Sequence, residues 1–132
     1  MALSQGRMTK RRNANQFEDP VAASTLIHTG ALVCINGSGY AVPGSTSTTL
    51  TVRGVAQEGV NNTGAAGAQA VKTERGCFPF KNHGADPVAR ADIGKTVYIV
   101  DDETIAKTNG TNTRSVAGTL RDIDVNGAWV EI

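Results

Sequence analysis

The chain is poor in the residues that build aromatic cores, disulfide frameworks and metal sites. Of its 132 residues only 5% are aromatic, and it has two cysteines, two histidines and one tryptophan. Two cysteines are too few for the disulfide framework of a small secreted domain. No segment approaches the ~20 apolar residues of a membrane-spanning helix, and the N-terminal stretch lacks the apolar centre of a signal peptide. We therefore expect a protein that is assembled in a reducing cytoplasm.

Helix-period apolar stripes are also missing, whereas turn-forming residues are plentiful, with 15 glycines. The apolar run at residues 31–35 stops at Asn36-Gly37, a pair that favours a type I′ hairpin turn. Residues 49–53 alternate between apolar and polar, and the alternation slips by one residue at Gly54, which indicates a β-bulge. Pro79 indicates an edge strand or a strand end. The sequence therefore predicts an all-β fold, a small sandwich or barrel of about nine short strands.

Strand periodicity also predicts the core. Residues 96–100 are apolar on both parities and are expected to form the most buried strand. The side chains expected to be mostly buried share the apolar parity of their strands, and they are Val33, Ile35, Leu50, Val52, Val97, Ile99, Val116 and Val130.

A weak internal repeat is visible at an offset of 64 residues. The matched pairs are Gly30 with Gly94, Val33 with Val97, Ile35 with Ile99, Thr49 with Thr113, Val52 with Val116, Gly54 with Gly118 and, as a chemical match, Glu58 with Asp122. Since glycine, valine and threonine are common in strand and turn segments, coincidence stays an alternative to a pseudo-duplication. A duplication would mean two similar β-units packed on each other.

The N-terminal segment differs from the rest of the chain. Residues 1–20 contain four basic residues, only two acidic ones and almost nothing apolar, which predicts a flexible basic arm ahead of a single β-domain at residues 21–132. Three interpretations of the arm stay open: an inert tail, a non-specific nucleic-acid contact, or a docking arm for a protein surface. The candidate docking residues are Arg7, Lys10, Arg11, Arg12 and Phe17.

Residues that could carry chemistry are scattered. His28, His83, Cys34 and Cys77 each stand alone, without the paired spacing of a zinc site, and we expect the cysteines to be buried thiols. The three acids at residues 101–103 lack the alternating ligand spacing of a calcium loop and are typical of a solvated turn. We therefore predict no catalytic, metal-binding or cofactor-binding residues, and a protein that is not an enzyme.

An ordered set of motifs resembles the family of phage capsid-cement or head-decoration proteins of Mu-like and related siphophages. It covers residues about 25–132 and consists of Leu32-Val33-Cys34-Ile35, Tyr40-Ala41-Val42-Pro43, Val52-x-Gly54-Val55-Ala56, Arg75-Gly76-x-Phe78, Asp92-Ile93-Gly94-Lys95-x-Val97-Tyr98-x-Val100-Asp101-Asp102, Val116-Ala117-Gly118-Thr119 and Asp124-x-x-Gly127-x-Trp129-Val130. Residues 1–20 match no pattern of that family.

The resemblance implies a structural virion protein on the outer capsid surface. Such a protein is expected to clamp neighbouring subunits of the phage major capsid protein, usually as a homotrimer at local threefold positions. The family brings no cofactor, no specific nucleic acid and no membrane. Two rivals remain: another virion component, such as a tail or head-completion protein, and a nucleic-acid-binding module that uses the basic arm.

Overall fold

The structure, a computed structural model, describes residues 2–132, and the chain is almost entirely β, which confirms the predicted fold class. It has twelve strands: β1 (Gln16–Pro20), β2 (Thr25–Ile27), β3 (Leu32–Ile35), β4 (Ala41–Pro43), β5 (Thr51–Ala56), β6 (Val60–Asn62), β7 (Ala70–Glu74), β8 (Cys77–Asn82), β9 (Thr96–Ile99), β10 (Thr104–Ala106), β11 (Val116–Asp124) and β12 (Gly127–Glu131). One turn of 3₁₀ helix spans Arg90–Asp92. Within the described chain, no helix has the length and apolar character needed to span a membrane.

Residues 15–75, which we call unit 1, form a five-stranded sheet in the order β1-β7-β5-β3-β4. A single parallel bridge between Val21 and Ala41 joins the two outer strands, and the N–H of Ala22 donates to the carbonyl of Ala41 at 3.0 Å. Strands β2 and β6 form a separate antiparallel pair. Unit 1 is therefore a barrel whose seam is held at one end only.

Residues 76–132, which we call unit 2, repeat this order as β8-β12-β11-β9-β10 and close into a barrel. The closure is again parallel, through β10 and β8, and the N–H of His83 donates to Ile105 as Ala22 donates to Ala41. The two units therefore share one strand order and one kind of closure.

The pairing register repeats as well. In unit 1 Cys34 lies opposite Val52 and Val33 opposite Gly54, which leaves Arg53 as the extra residue of a bulge in β5. In unit 2 the residues 64 positions later do the same: Tyr98 lies opposite Val116 and Val97 opposite Gly118, with Ala117 in the bulge. The residues matched by the 64-residue offset thus occupy equivalent pairs, and the predicted bulge lies at Gly54.

Both bulge glycines face the backbone of a neighbouring strand. A Cβ on Gly54 would collide with the carbonyl of Glu74, and one on Gly118 with the carbonyl of Glu131. Glu74 and Glu131 are themselves equivalent, because each ends the strand that pairs with its bulged neighbour. Only glycine permits this approach of two backbones, which explains why both positions hold it.

The units are locked together by a shared core. Leu32, Cys34 and Val55 turn away from the interior of unit 1 and join the apolar cluster of unit 2. The carbonyl of Asp102 accepts the N–H of Leu32 at 2.8 Å, and the hydroxyl of Ser115 donates to the carbonyl of Ser47 at 2.5 Å. Unit 1 keeps a second core of small side chains, which are Val21, Ile27, Ala31, Val33, Ala41, Ala56 and Val71. The two units thus pack against each other through one shared core.

The predicted core residues divide into three groups. Val33, Val97, Ile99 and Val130 are buried, and Ile35, Leu50 and Val52 are half-buried. The prediction for Val116 is wrong, since 49% of it is exposed. The bulge at Ala117 shifts the alternation of β11, so that Ala117 fills the interior and Val116 faces outward.

Two local predictions also need correction. The flexible arm was expected to extend to residue 20, but Gln16–Pro20 is β1, paired along its length with β7. The glycine- and asparagine-rich sequence of residues 57–68 predicts a flexible loop, but it contains β6, which pairs with β2. The local sequence does not predict these short strands, because β1, with the sequence QFEDP, and β6, with VNN, show no strand-like apolar alternation.

Candidate docking surface

The exposed segment that precedes β1, residues 2–15, is the arm as the structure has it. All of these residues are exposed and none lies in a strand or helix. Arg7, Lys10, Arg11 and Arg12 make no ion pair within residues 2–132. The arm contains no acid, so with +4 in the arm and +1 overall the rest of the chain carries −3. Arm and body therefore have opposite charge.

Phe17, the fifth candidate docking residue, is held by the body instead. It lies in β1 opposite the buried Thr73, and the guanidinium of Arg53 stacks 3.6 Å from its ring centroid. Arg53 also donates to both carboxylate oxygens of Asp19, at 2.7 and 3.1 Å. Only 28% of the Arg53 side chain and 15% of the Asp19 side chain are exposed. Phe17 is thus part of a half-buried polar cluster that anchors β1.

Unit 2 has an apolar cluster at the equivalent positions. Where unit 1 has Phe17, Asp19, Arg53 and Thr73, the matching pairings of unit 2 hold Phe78, Phe80, Ala117 and Val130. The hydroxyl of Thr73 is buried without a hydrogen-bond partner in the described chain. A buried polar atom without a partner costs ~1–3 kcal/mol, and unit 2 avoids that cost at this position because it has Val130 there.

The outer edge of β1 is free over most of its length. The N–H of Arg75 donates to the carbonyl of Asn15 at 2.8 Å, and the N–H of Val21 donates to Gln69 at 2.9 Å. Odd-numbered residues of β1 therefore bond to β7, and Gln16 and Glu18 present their main-chain groups to the opposite side. That side meets β4 only at the bridge beyond the end of β1.

A groove of about 540 Å³ lies where the arm joins β1. Its lining is polar and of mixed charge, consisting of Arg12, Asn13, Gln16, Phe17, Glu18, Gln57, Lys72 and Thr73. Lys72 and Thr73 belong to β7, so the groove lies over the β1–β7 pair. Its amide, cationic and anionic groups can hydrogen-bond the polar side chains of an extended polypeptide. This groove is a candidate surface for contact with another chain.

Neither cysteine is in a disulfide. The expectation that both are buried is confirmed for Cys34 and wrong for Cys77. Cys34 is buried, and burial raises the pKa of its thiol to about 12, which makes it unreactive. Cys77 is exposed at the start of β8. Partial desolvation and then the Glu131 carboxylate raise the pKa of this thiol as well.

The other candidates for chemistry are structural. Residues 2–132 bring together no group of three metal-ligating side chains, and the ring of His83 only accepts the N–H of Asp86. In the acidic turn, Glu103 pairs with Lys81 at 2.6 Å on the surface. That hydrogen bond and the charge of Glu103 raise the pKa of Lys81.

Asp86 and Asp92 tie the long loops of unit 2 to its barrel. The Asp86 carboxylate accepts the hydroxyl of Thr108 at 2.6 Å and the guanidinium of Arg114 at 2.9 Å. These bonds, the Thr108 hydroxyl first, lower the pKa of Asp86. Asp92 accepts the N–H of Ala89 at 2.8 Å, which together with Lys107 and Lys95 lowers its pKa.

Comparison with known proteins adds no relative: no protein-family model, no curated protein and no solved structure matches the chain. What the protein does must therefore be inferred from its motifs and from the arrangement of arm, groove and two-unit body.

Proposed function

We propose that the protein decorates the outside of a phage capsid and stabilises the shell by clamping neighbouring major capsid subunits. The observation that carries the proposal is the exposed basic arm, residues 2–15, which leaves a two-unit body beside a free strand edge. The motif resemblance over residues about 25–132 supports it from the sequence side.

The body and the arm divide the work in this proposal. The body is held together by a core that both units share, so it can bridge two subunits as one piece. Fourteen arm residues, fully extended, reach roughly 46–50 Å, enough to pass from one shell subunit to the next. Each contact can be weak, because engagement of several subunits by one molecule raises the effective affinity.

The arm's partner in this proposal is the capsid. Its four cations can lie along acidic grooves of the shell, and its unpaired main chain can add a strand to a sheet edge. Individual contacts of Lys10, Arg11 and Arg12 are expected to be weak and screened by salt. The copies themselves are proposed to assemble as homotrimers on the shell.

Deletion of residues 2–14 tests the proposal, since this cut leaves β1 intact. We expect an unchanged melting temperature and a sharp loss of occupancy on empty expanded shells, measured by co-sedimentation at physiological salt. A triple variant, Lys10→Gln, Arg11→Gln and Arg12→Gln, keeps the arm's length and separates the role of charge from that of the main chain. Full decoration by the truncated protein would show that the arm is an inert tail.

The basic arm also favours a second candidate, a non-specific nucleic-acid contact. Its cations are not interleaved with aromatic side chains for base stacking, which makes this the weaker proposal. A salt-dependent DNA mobility shift that disappears with residues 2–14 would favour it. A tail or head-completion role is the other alternative, and negative-stain localisation on the particle separates it from shell decoration.

A further inference from the structure

The outward side of the β3–β5 pair is covered in unit 1, whereas the equivalent side of the β9–β11 pair is more exposed in unit 2. In unit 1 the outward side of the β3–β5 pair is apolar, and Leu32, Cys34 and Val55 are buried there against unit 2. The equivalent side of unit 2 is the outward face of the β9–β11 pair, where Tyr98 lies opposite Val116. Val116 is only partly covered within the described chain, since 49% of it is exposed.

This face is continuous with the existing contact between the units. A groove of about 500 Å³ runs from the unit 1 side to Val116, lined by Thr48, Leu50, Thr51, Val52, Arg114, Ser115 and Val116. Ser115 bonds both to Ser47 and to the N–H of Leu50, so one wall of the groove is the interface itself. The surface at the contact between the units thus continues onto Val116.

The hydrogen bond at the junction between the units has an equivalent at the end of β12. The N–H of Ile132 donates to Gly76 at 2.8 Å, as the N–H of Arg75 donates to Asn15 at 2.8 Å. After Arg75 the chain continues directly into β8 of unit 2. A second copy that placed its Asn15 next to Ile132 would stand to unit 2 as unit 2 stands to unit 1.

We propose that unit 1 of a second copy docks on the Tyr98–Val116 face and repeats, between molecules, the contact that joins the two units within one. The docking part of unit 1 would be the exposed turn between β3 and β4, residues 36–39, because its equivalent in unit 2, residues 100–103, contacts unit 1 through Val100, Asp101 and Asp102. The contact is head-to-tail, so successive copies can close into a ring.

The composition of the face suits a contact that forms only at assembly. Thr96 and Thr119 stand where unit 1 has Leu32 and Val55, and Tyr98 stands where it has Cys34. Two hydroxyl-bearing side chains and a tyrosine around one exposed valine keep the face soluble in the free protein. Interfaces between partners that also exist apart are typically of this mixed character. The inference deepens the self-assembly part of the proposed function, and rests on it.

The test is the concentration dependence of mass, measured by sedimentation equilibrium from about 10 μM to about 1 mM. We expect the full chain to associate, and Val116→Glu to raise the dissociation constant at least ~10-fold. Val125→Glu is the matched control: Val125 is 99% exposed at the β11–β12 turn, outside the proposed face. Should Val116→Glu fail to fold, Thr96→Arg on the neighbouring strand replaces it. Ser38→Arg tests the opposite surface and is expected to weaken association equally.

A chain that stays monomeric at every concentration would overturn the inference, as would equal effects of Val116→Glu and Val125→Glu. Shell binding is scored separately by co-sedimentation. A monomeric protein that still decorates shells would remove this interface and leave the proposed function standing. A protein that associates with itself but does not bind shells would support this interface and contradict the proposed function.

Discussion

Unit 1 and unit 2 share one strand order, one bulge position and a parallel closure, yet the closure is shorter in unit 1 and the two interiors are filled differently. At the seam of unit 2, the N–H of Lys81 donates to Glu103 at 2.7 Å. The equivalent residue of unit 1 is Pro20, which has no N–H to donate. Inside, unit 2 has Phe80 and Ala117 where unit 1 has the ion pair of Asp19 and Arg53. The same topology therefore supports a tight apolar barrel and a looser polar one.

This difference indicates which unit contributes more to the free energy of unfolding. Phe80, Ile99, Ile105 and Leu120 fill unit 2, while unit 1 relies on smaller side chains and one half-buried ion pair. We infer that unit 2 is the stable foundation and that unit 1, which carries the arm, opens first. Three predictions test this comparison.

The largest effect is expected for Ile99→Ala in unit 2. Ile99 is completely buried, so the cavity should lower the free energy of unfolding by ~2–5 kcal/mol. The matched change in unit 1 is Ile35→Ala, whose side chain is only half-buried and should cost clearly less. Urea titrations of both variants measure the difference. Equal losses would mean that the two units contribute alike, and a loss below ~0.5 kcal/mol for Ile99→Ala would refute its core position.

A middle-sized effect is expected at the ion pair of unit 1. Asp19→Ala leaves Arg53 without its carboxylate and should cost ~1–3 kcal/mol. The double variant Asp19→Phe with Arg53→Ala gives unit 1 the residues of unit 2 and should restore the wild-type value or exceed it, as apolar replacements of buried pairs often do. Thermal unfolding measures both. A double variant that is less stable than Asp19→Ala would show that the two interiors are not interchangeable.

The smallest effect is expected from acid. Asp86 and Asp92 in unit 2 have lowered pKa values in the folded protein. Their stabilisation is therefore present above the ordinary carboxyl pKa of about 4 and is lost as the pH falls through their folded values. The difference in melting temperature between wild type and Asp86→Asn should shrink as the pH is lowered from 6 to below 4. Glu58→Gln removes an exposed carboxylate that makes no ion pair within residues 2–132, and it serves as the control for the loss of one negative charge.

The strands that could be predicted are those with a strong local pattern of apolar and turn-forming residues. Nine strands were visible because apolar runs and glycine turns mark them, and Gly54 marked its bulge. Strands β1, β2 and β6 have too little apolar pattern to show in the sequence. Their pairing is set by neighbours far along the chain, such as β7 for β1. Local sequence cannot report such partners.

The candidate site was predictable in part for the same reason. Composition was enough to place Arg7, Lys10, Arg11 and Arg12 on an exposed segment. It was not enough to place Phe17, since its partner Arg53 lies 36 positions away in a bulge. The exposure of Val116 was missed because a bulge reverses the parity of every residue before it. An arginine next to Gly54, at a slip in alternation, was the one available signal for the polar cluster.

The antiparallel pairing of β1 with β7 also fixes how the molecule yields to a pull. Asn15, where the arm leaves, and Arg75, where the chain passes into unit 2, lie at the same end of that pair. Tension between an anchored arm and unit 2 therefore loads the hydrogen bonds one after another, as in unzipping, and not all at once. The five residues of β1 would peel away at low force and release roughly 17 Å of slack. Strand β1 is therefore expected to detach from β7 before the rest of the protein unfolds. A single-molecule force–extension trace should show this short extension step before any other.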